Sequence, residues 1–300
     1  MSVIASTSRP VLNVLRLNRF PILFQLNLEE ALLRGTKDNW FIVNDGAFQP
    51  AIVMGISGKP EELINVKEAA NAGIQVIKRF TGGGTVVVDS NTLFTSLIMQ
   101  GSDVPHVPCF PQQIMKFTEY VYGGIFDEYG EFHLRENDYV FGERKFGGNA
   151  QAITGQRWLH HTSLLWDFDQ KNMDLLKHPK KKPKYREERP HNDFVTRLCD
   201  HVPSRTRLLD ELLDGVPYLV EQLVAQKMGG KEEEEESRAK ELAAREGGVE
   251  QAIGDFEGRG FEIREASLAE AAMALQKRSS SGNKEVDLTA HLDAAELQAL

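Results

Sequence analysis

The stretch Lys78-Arg79-Phe80-Thr81-Gly82-Gly83-Gly84-Thr85-Val86-Val87-Val88-Asp89 sets two cations, two hydroxyls and three consecutive glycines ahead of a short apolar run. Glycine has no Cβ, so such a turn reaches positive φ and lets another molecule come close to the backbone. Successive N–H groups in it can converge on an anion. No Lys-Ser/Thr pair follows the glycines and no G-x-G-x-x-G opens a helix, so neither the P-loop nor the dinucleotide fingerprint applies. Thr-Val-Val-Val then reads as strand. Two readings follow from these residues: a strand-loop-strand anion cradle with Arg79 at its entrance, or a glycine-rich hairpin bend.

A second group lies downstream. Lys145 opens the run Lys145-Phe146-Gly147-Gly148-Asn149-Ala150-Gln151, where two glycines inside a strand are best understood if a ligand or another backbone passes close. Arg135-Glu136-Asn137-Asp138-Tyr139 places an amide and a carboxylate on a neighbouring strand, and His160-His161-Thr162-Ser163-Leu164-Leu165 lies across the next hairpin. Taken singly, each has a plain structural reading: a snorkelling lysine, a turn Asn-Asp, surface histidines. Two histidines without a third ligand nearby make a weak zinc site.

The elements that must position these groups follow from periodicity. Val11 to Leu17 reads as a first strand, and Phe24, Leu28 and Leu32 fall at i, i+4, i+8 on a helix ending at Arg34-Gly35. Apolar runs at 40–43 and 51–54 flank Asn44-Asp45-Gly46, a hairpin signal. Residues 66–72 read as a short helix, 75–78 and 93–99 as strands entering and leaving the glycine loop, and 112–126 as a helix with Ile114, Phe117, Val121 and Ile125 on one face. Strands joined by tight turns follow at 132–134, 139–141, 145–153 and 158–168. Residues 177–189 carry seven Lys/Arg among prolines and read as an exposed loop, with docking of an acidic partner domain as the alternative. Two short helices are expected over 204–215, capped by Ser204, and 217–228, opened by Pro217. Hairpins outnumber β-α-β units, so the expected fold is α+β, a mixed and largely antiparallel sheet flanked by helices.

Composition bounds the function. With 300 residues and 41% hydrophobic side chains the chain can bury a sizeable core. A net charge of −9 argues against nucleic acid as a partner, since phosphate binding needs a basic face. Cys109 and Cys199 form no CxxC pair, which supports neither a disulfide framework nor a cysteine zinc site and points to a reducing compartment. No apolar run approaches the about 18 residues that span a bilayer. The first 28 residues carry Arg9, Arg16 and Arg19 and no acid, a faint transit-peptide signal outweighed by the strand reading of 11–17. A cytoplasmic monomer is expected, with a mitochondrial location as the alternative. From Gly229 the composition changes: Glu232 to Glu236 are five glutamates in a row, and charged, alanine-rich sequence continues to the end. Residues 1–228 are therefore read as the main domain and 229–300 as a partly disordered or helical tail, in which 260–263 could form one strand and 268–276 one helix.

In order along the chain, Phe24-Gln25-Leu26-Asn27-Leu28-Glu29-Glu30, the glycine loop from Arg79 to Asp89, Asn91, Asn137-Asp138, Lys145 to Ala150 and His160 to Leu165 together resemble the lipoate-protein ligase A family, within the wider biotin and lipoate ligase superfamily. The resemblance spans roughly residues 11 to 202 and rests on the ordered set. It implies a biotin/lipoate ligase-like catalytic fold, ATP-dependent activation of lipoate to lipoyl-AMP, and transfer to a lysine of a lipoyl domain. The implied carriers are the lipoyl domains of 2-oxoacid dehydrogenase complexes and the glycine cleavage H protein.

Carried onto this sequence, the resemblance makes Lys145 the catalytic cation. It assigns Arg79, Gly82, Gly83, Gly84, Thr85, Asn91, Asn137 and Asp138 to ATP and the acyl-adenylate, with Mg²⁺ at Asp138, and Val87, His161, Ser163 and Leu164 to the acyl pocket. The chemistry agrees, because attack of a carboxylate on the α-phosphate brings two anions together and a fixed ammonium offsets that charge. Arg79 offers a bidentate fork for phosphate or carboxylate. Three positions depart from the family pattern: Val88 replaces a common histidine, Thr162-Ser163 replaces Gly-Thr, and Phe80 replaces a small residue. Alternatives are a lipoyl- or octanoyl-transferase acting without ATP and a catalytically silent carrier-binding protein. Biotin ligases are disfavoured, because their loop is expected to carry arginines between the glycines.

Overall fold

The computed structural model describes residues 9–177, 183–225 and 261–279. In chain order, β1 (Val11–Asn18), α1 (Ile22–Gly35), β2 (Asn39–Asp45) and β3 (Ala51–Met54) are followed by α2 (Pro60–Leu63), α3 (Val66–Asn71), β4 (Gln75–Lys78), β5 (Thr85–Val88) and β6 (Thr92–Gln100). Then come α4 (Pro111–Phe126), β7 (Phe132–Arg135), β8 (Asp138–Phe141), β9 (Arg144–Thr154), β10 (Arg157–Leu165), α5 (Gln170–Met173), α6 (His191–Phe194) and α7 (Arg205–Asp210). β11 (Glu262–Ala266) and α8 (Leu268–Ser279) close the described chain.

Eight strands form one sheet in the order β11-β1-β2-β6-β10-β9-β8-β7, and β4-β3-β5 form a small second sheet. β1 pairs in parallel with β2 and β11, β4 with β3, and every other pair is antiparallel. The expected mixed, antiparallel-dominated α+β fold is what the chain adopts. Alternation along the strands sends Phe41, Val43, Leu97, Met99 and Trp158 to one face under α4 and α7, and Trp40, Ile42, Ile98 and Leu159 to the other under α1 and α8. α1 buries Leu28, Leu32 and Leu33, and its last carbonyls are met by a side chain: buried Arg157 donates Nε to the Leu33 carbonyl at 3.0 Å and Nη2 to that of Leu32 at 3.4 Å.

Three expectations need correction. Asn44-Asp45-Gly46 does not make a hairpin, because β2 is already paired on both edges by β1 and β6 and β3 has no edge left to join; β3 instead starts the second sheet. The two helices over 204–228 are continuous through 225 among the described residues, joined by a π-helical turn at Glu211–Gly215 just before Pro217, whose ring cannot fit a regular α-turn. The basic stretch is not wholly exposed. Within its described residues, 177 and 183–189, Arg186 is buried, its guanidinium lies 4.9 Å from the Phe194 ring centre, and Tyr185 donates to Asp138 at the start of β8.

Phe261 is fully buried in the main core, β11 pairs with β1, and Ala271 of α8 is buried against the α1 face. Of the strand and helix expected at 260–263 and 268–276, β11 forms the sheet's edge and α8 packs on the α1 face, while residue 260 and the glutamate run lie outside the described residues. Among the described residues no helix is long and apolar enough to cross a membrane.

Candidate active site

The glycine loop rests on the end of β3. Arg79 N–H donates to the Met54 carbonyl at 2.9 Å and Ile56 N–H to that of Thr81 at 2.9 Å. The approach is so close that a Cβ on Gly55 would lie 2.3 Å from the Gly83 carbonyl oxygen. Gly83 takes φ +100, which a side chain rarely adopts, and its own Cβ would lie 2.8 Å from Arg79 Nη2.

Arg79 points inward. Its residue is 5% exposed, Nε donates to Thr81 Oγ1 at 2.8 Å, Nη1 to the Val53 carbonyl at 3.3 Å, and Nη2 to the carbonyls of Gly82 at 2.7 Å and Gly84 at 2.9 Å. Burial lowers its pKa to about 10, partly offset by Glu29, so it stays charged at neutral pH. The fork expected to grip a phosphate is turned onto the loop's own backbone. With the carbonyls of Gly82 and Gly84 on the guanidinium and that of Gly83 on Gly55, the trans peptides turn the N–H groups of Gly83 and Gly84 the opposite way. A Cβ at Gly82 or Gly84 would meet no atom within 4 Å.

Lys145 stands on β9 beside this loop. Gly83 lies against Asn149 and Ala150, where its Cβ would be 3.8 Å from the Asn149 carbonyl oxygen and 3.6 Å from the Ala150 Cβ. One residue earlier, a Cβ on Gly148 would be 3.1 Å from Lys145 Nζ and 3.4 Å from Ser163 Oγ. The lysine side chain therefore curls back over its own strand, and Gly148 is the position that makes room. Its Nζ is 2.7 Å from Asp138 Oδ1, and Tyr185 OH donates to Asp138 Oδ2 at 2.8 Å. Burial, then the Asp138 charge, push the Tyr185 phenol far above its ordinary pKa, so it remains the donor. The lysine side chain keeps 20% of its surface exposed, against 9% for its aspartate partner.

The remaining predicted residues divide. Asn137 is exposed in the β7–β8 turn, and its carbonyl accepts from Asn149 Nδ2 at 3.2 Å. Asn91 sits in a turn closed by its N–H on Asp89 Oδ1 at 2.8 Å. Thr85 Oγ1 is buried with no hydrogen-bond partner among the described residues. His161 and Ser163 share the loop-facing side of β10. Leu164, one residue on, points to the opposite face and packs in the main core, whereas Val87 packs with Ile52 and Leu165, and alternation puts Leu165 on the same side of β10 as His161 and Ser163. Of the four acyl-pocket residues, Leu164 is therefore the one set apart. Both histidines are buried rather than on the surface, and burial followed by His161 lowers His160 to about 3, which keeps it neutral. No group of three potential metal ligands occurs among the described residues.

Sequence reading missed Tyr185 and the pair Gln25 and Glu29. Tyr185 lies in a basic loop with no distinguishing pattern. Gln25 and Glu29 fall at i, i+4 on the same face as Leu28 and Leu32, so a carboxylate on a buried stripe was a legible signal.

The family model of the lipoyl protein ligase A/B catalytic domain matches residues 21–214. The chain belongs to that family. Its relatives include inactive lipoate–protein ligase 2 of Plasmodium falciparum, 27% identical over 274 residues and 70% of each chain. The lipoate-protein ligase LplJ of Bacillus subtilis is 35% identical over 121 residues, 40% of this chain and 35% of that one. Against LplJ the chain spans about a third of the relative's length. Among solved structures, a bi-partite lipoate protein ligase from Thermoplasma acidophilum, analysed with its E2 lipoyl domain, superposes with TM-score 0.63 at 18% identity, covering 92% of this chain and 99% of that one. A lipoate-protein ligase A bound with ATP gives 0.58 at 16% identity, covering 95% and 100%. These two likenesses show a shared fold.

Proposed function

We propose that this chain is a lipoate-protein ligase that activates lipoate with ATP to lipoyl-AMP and passes the lipoyl group to a lysine of a lipoyl domain. The observation that carries the reading is Lys145: an ammonium held 2.7 Å from Asp138, partly exposed, near a glycine loop whose Gly83 N–H is turned away from the buried Arg79. In the first step a lipoate carboxylate oxygen attacks the α-phosphorus and pyrophosphate leaves, giving lipoyl-AMP. Lys145 offsets the negative charge that accumulates between the two anions, and the N–H groups of Gly83 and Gly84 bind oxygens of the same centre. In the second step the carrier's lysine amine attacks the acyl carbonyl, AMP leaves and a proton is released. Lys145 then stabilises the departing phosphate.

Asp138 fixes the lysine's position, with Tyr185 fixing Asp138. Magnesium would reach Asp138 only with the nucleotide, since one carboxylate plus phosphate and water is an ordinary magnesium set. Arg79 serves as the inner clamp of the loop, His161 and Ser163 face the acyl group, and Asn91 and Asn137 face the nucleotide. The ATP-bound ligase and the ligase studied with its E2 lipoyl domain support these choices of substrate and partner. Burial raises the pKa of both Cys109 and Cys199, which disfavours either thiol as the nucleophile of an octanoyl transfer.

A second reading is transfer from preformed lipoyl-AMP without adenylation. It is favoured by the relative named as inactive and by Val88, which is buried in an apolar cluster where the family pattern has histidine. One assay separates the two. Purified chain is incubated with lipoate, Mg-ATP and an apo lipoyl domain while pyrophosphate and carrier mass are followed. Pyrophosphate release with a lipoylated carrier is the expected result; modification only from supplied lipoyl-AMP would establish the transferase, and neither product would overturn both readings.

A further inference from the structure

Beneath the glycine loop runs a buried polar chain that joins α1 to Arg79, and the proposed chemistry gives its α1 end no role. Asn44 Nδ2 donates to Gln25 Oε1 at 2.9 Å, and Gln25 Nε2 donates to Glu29 Oε1 at 3.0 Å. Ser96 Oγ donates to the same oxygen at 2.6 Å, and Glu29 Oε2 is 2.9 Å from His161 Nδ1. His161 Nε2 is 3.3 Å from Thr81 Oγ1, the atom that also accepts Arg79 Nε at 2.8 Å. Gln25, Glu29 and Ser96 are fully buried, Asn44, Thr81 and His161 nearly so.

Donor counting gives this chain a direction. An ionised carboxylate only accepts, so the His161 nitrogen facing Glu29, Nδ1, is the one that donates. In the neutral imidazole Nε2 is then an acceptor, and Thr81, which accepts from Arg79, donates its own proton there. A charge on α1 is thereby connected, through a histidine in one tautomer and a hydroxyl, to the guanidinium that holds the carbonyls of Gly82 and Gly84. A buried carboxylate is expensive unless its bonds are met and a counter-charge is near, and Arg79 is that counter-charge.

We propose that Glu29 is a positioning residue for the glycine loop: acting through His161 and Thr81, it sets the orientation of Arg79 that turns the loop's amides toward the acyl-adenylate. This rests on the ligase reading for the identity of the ligand, and on geometry alone for the linkage.

The test uses the full chain, the variants Glu29→Gln, Thr81→Val, Thr81→Ser and the Glu29→Gln/Thr81→Val double, and lipoyl-sulfamoyl-adenosine as a non-reacting stand-in for the adenylate. Glu29→Gln and Thr81→Val are each expected to weaken binding about tenfold, with the double no weaker than the worse single, as coupled residues in one network behave. Thr81→Ser should stay within about twofold of wild type, because the hydroxyl is kept. Nitrogen NMR should find the Nδ1–H tautomer of His161 in the wild type and its inversion in Glu29→Gln. Unchanged binding in Glu29→Gln, losses that multiply in the double, or an Nε2–H wild-type tautomer would overturn the proposal. If Glu29→Gln does not fold, the contrast between Thr81→Val and Thr81→Ser decides. If the wild type does not bind the analogue, the ligase reading fails, and the linkage is judged on the free protein: Gly83 and Gly84 amide shifts that move in Glu29→Gln support it, and unmoved shifts refute it.

Discussion

Arg79 and Lys145 are the two cations that flank the glycine loop, and their surroundings differ in kind. Arg79 is enclosed, and four hydrogen bonds commit its guanidinium to a hydroxyl and three backbone carbonyls of the protein itself. Lys145 has one carboxylate partner and a fifth of its side-chain surface in solvent. A buried guanidinium saturated by backbone acceptors shapes the chain, because moving it would strand those acceptors. A partly exposed ammonium with a single ion pair can exchange that partner for a substrate anion at small cost. Residue type alone would have ranked the two together.

The comparison breaks first at Lys145. Lys145→Ala should lower the rate of pyrophosphate release by about 10²–10³-fold, on the scale of losing one preorganised charge stabiliser, with little change in Tm. Wild-type adenylation in that variant would remove Lys145 from the chemistry. Arg79→Lys should behave in the opposite way: an ammonium cannot reach a hydroxyl and three carbonyls arranged for a planar fork, so about 2–3 kcal/mol of unfolding free energy should be lost in a denaturant titration. A variant as stable as wild type but unable to bind adenylate would show that Arg79 meets the ligand after all.

Much of the scaffold was readable because periodicity and burial agree. The strands over 11–17, 51–54 and 75–78, and the α4 stripe through Ile114, Phe117, Val121 and Ile125, are where the pattern places them. What failed was pairing. Asn44-Asp45-Gly46 has the local chemistry of a hairpin, but whether β2 has a free edge depends on β1 and β6, which no local window contains. In the site, glycines, Lys145 and Asp138 were legible as types. The inward turn of Arg79 was not, since it depends on acceptors at Val53, Gly82 and Gly84. Leu164 was misplaced for a simpler reason: alternation sends it away from His161 and Ser163.

β10 carries His161 toward the loop and His160 toward the other face, which gives a third test on the scaffold the two cations share. Folded His160 has its pKa lowered to about 3, whereas an unfolded histidine titrates near about 6.5. Between those values the unfolded chain binds the extra proton, so stability rises with pH there and falls on acidification, by about 1.4 kcal/mol per pH unit. Above the upper value the histidine contributes no slope. His160→Gln should flatten that part of the acid-unfolding curve, measured by Tm at several pH values; an unaltered slope would mean that other groups dominate it.

The smallest expected effect sharpens the Lys145 side. Tyr185 comes from the basic stretch, donates to Asp138 Oδ2 and thereby leaves Oδ1 for the lysine. Tyr185→Phe removes one hydrogen bond to a charged acceptor and keeps the ring that packs 5.2 Å from Phe194. The loss to folding should be about 1 kcal/mol. If Tyr185 only covers the corner, KM for ATP and kcat should both stay at wild-type values. If it aims Asp138 and through it Lys145, kcat for pyrophosphate release should fall about threefold to tenfold with KM unchanged, because the ammonium would be misaligned only at the moment charge builds. That split in the kinetic constants is the outcome the hydrogen bond predicts.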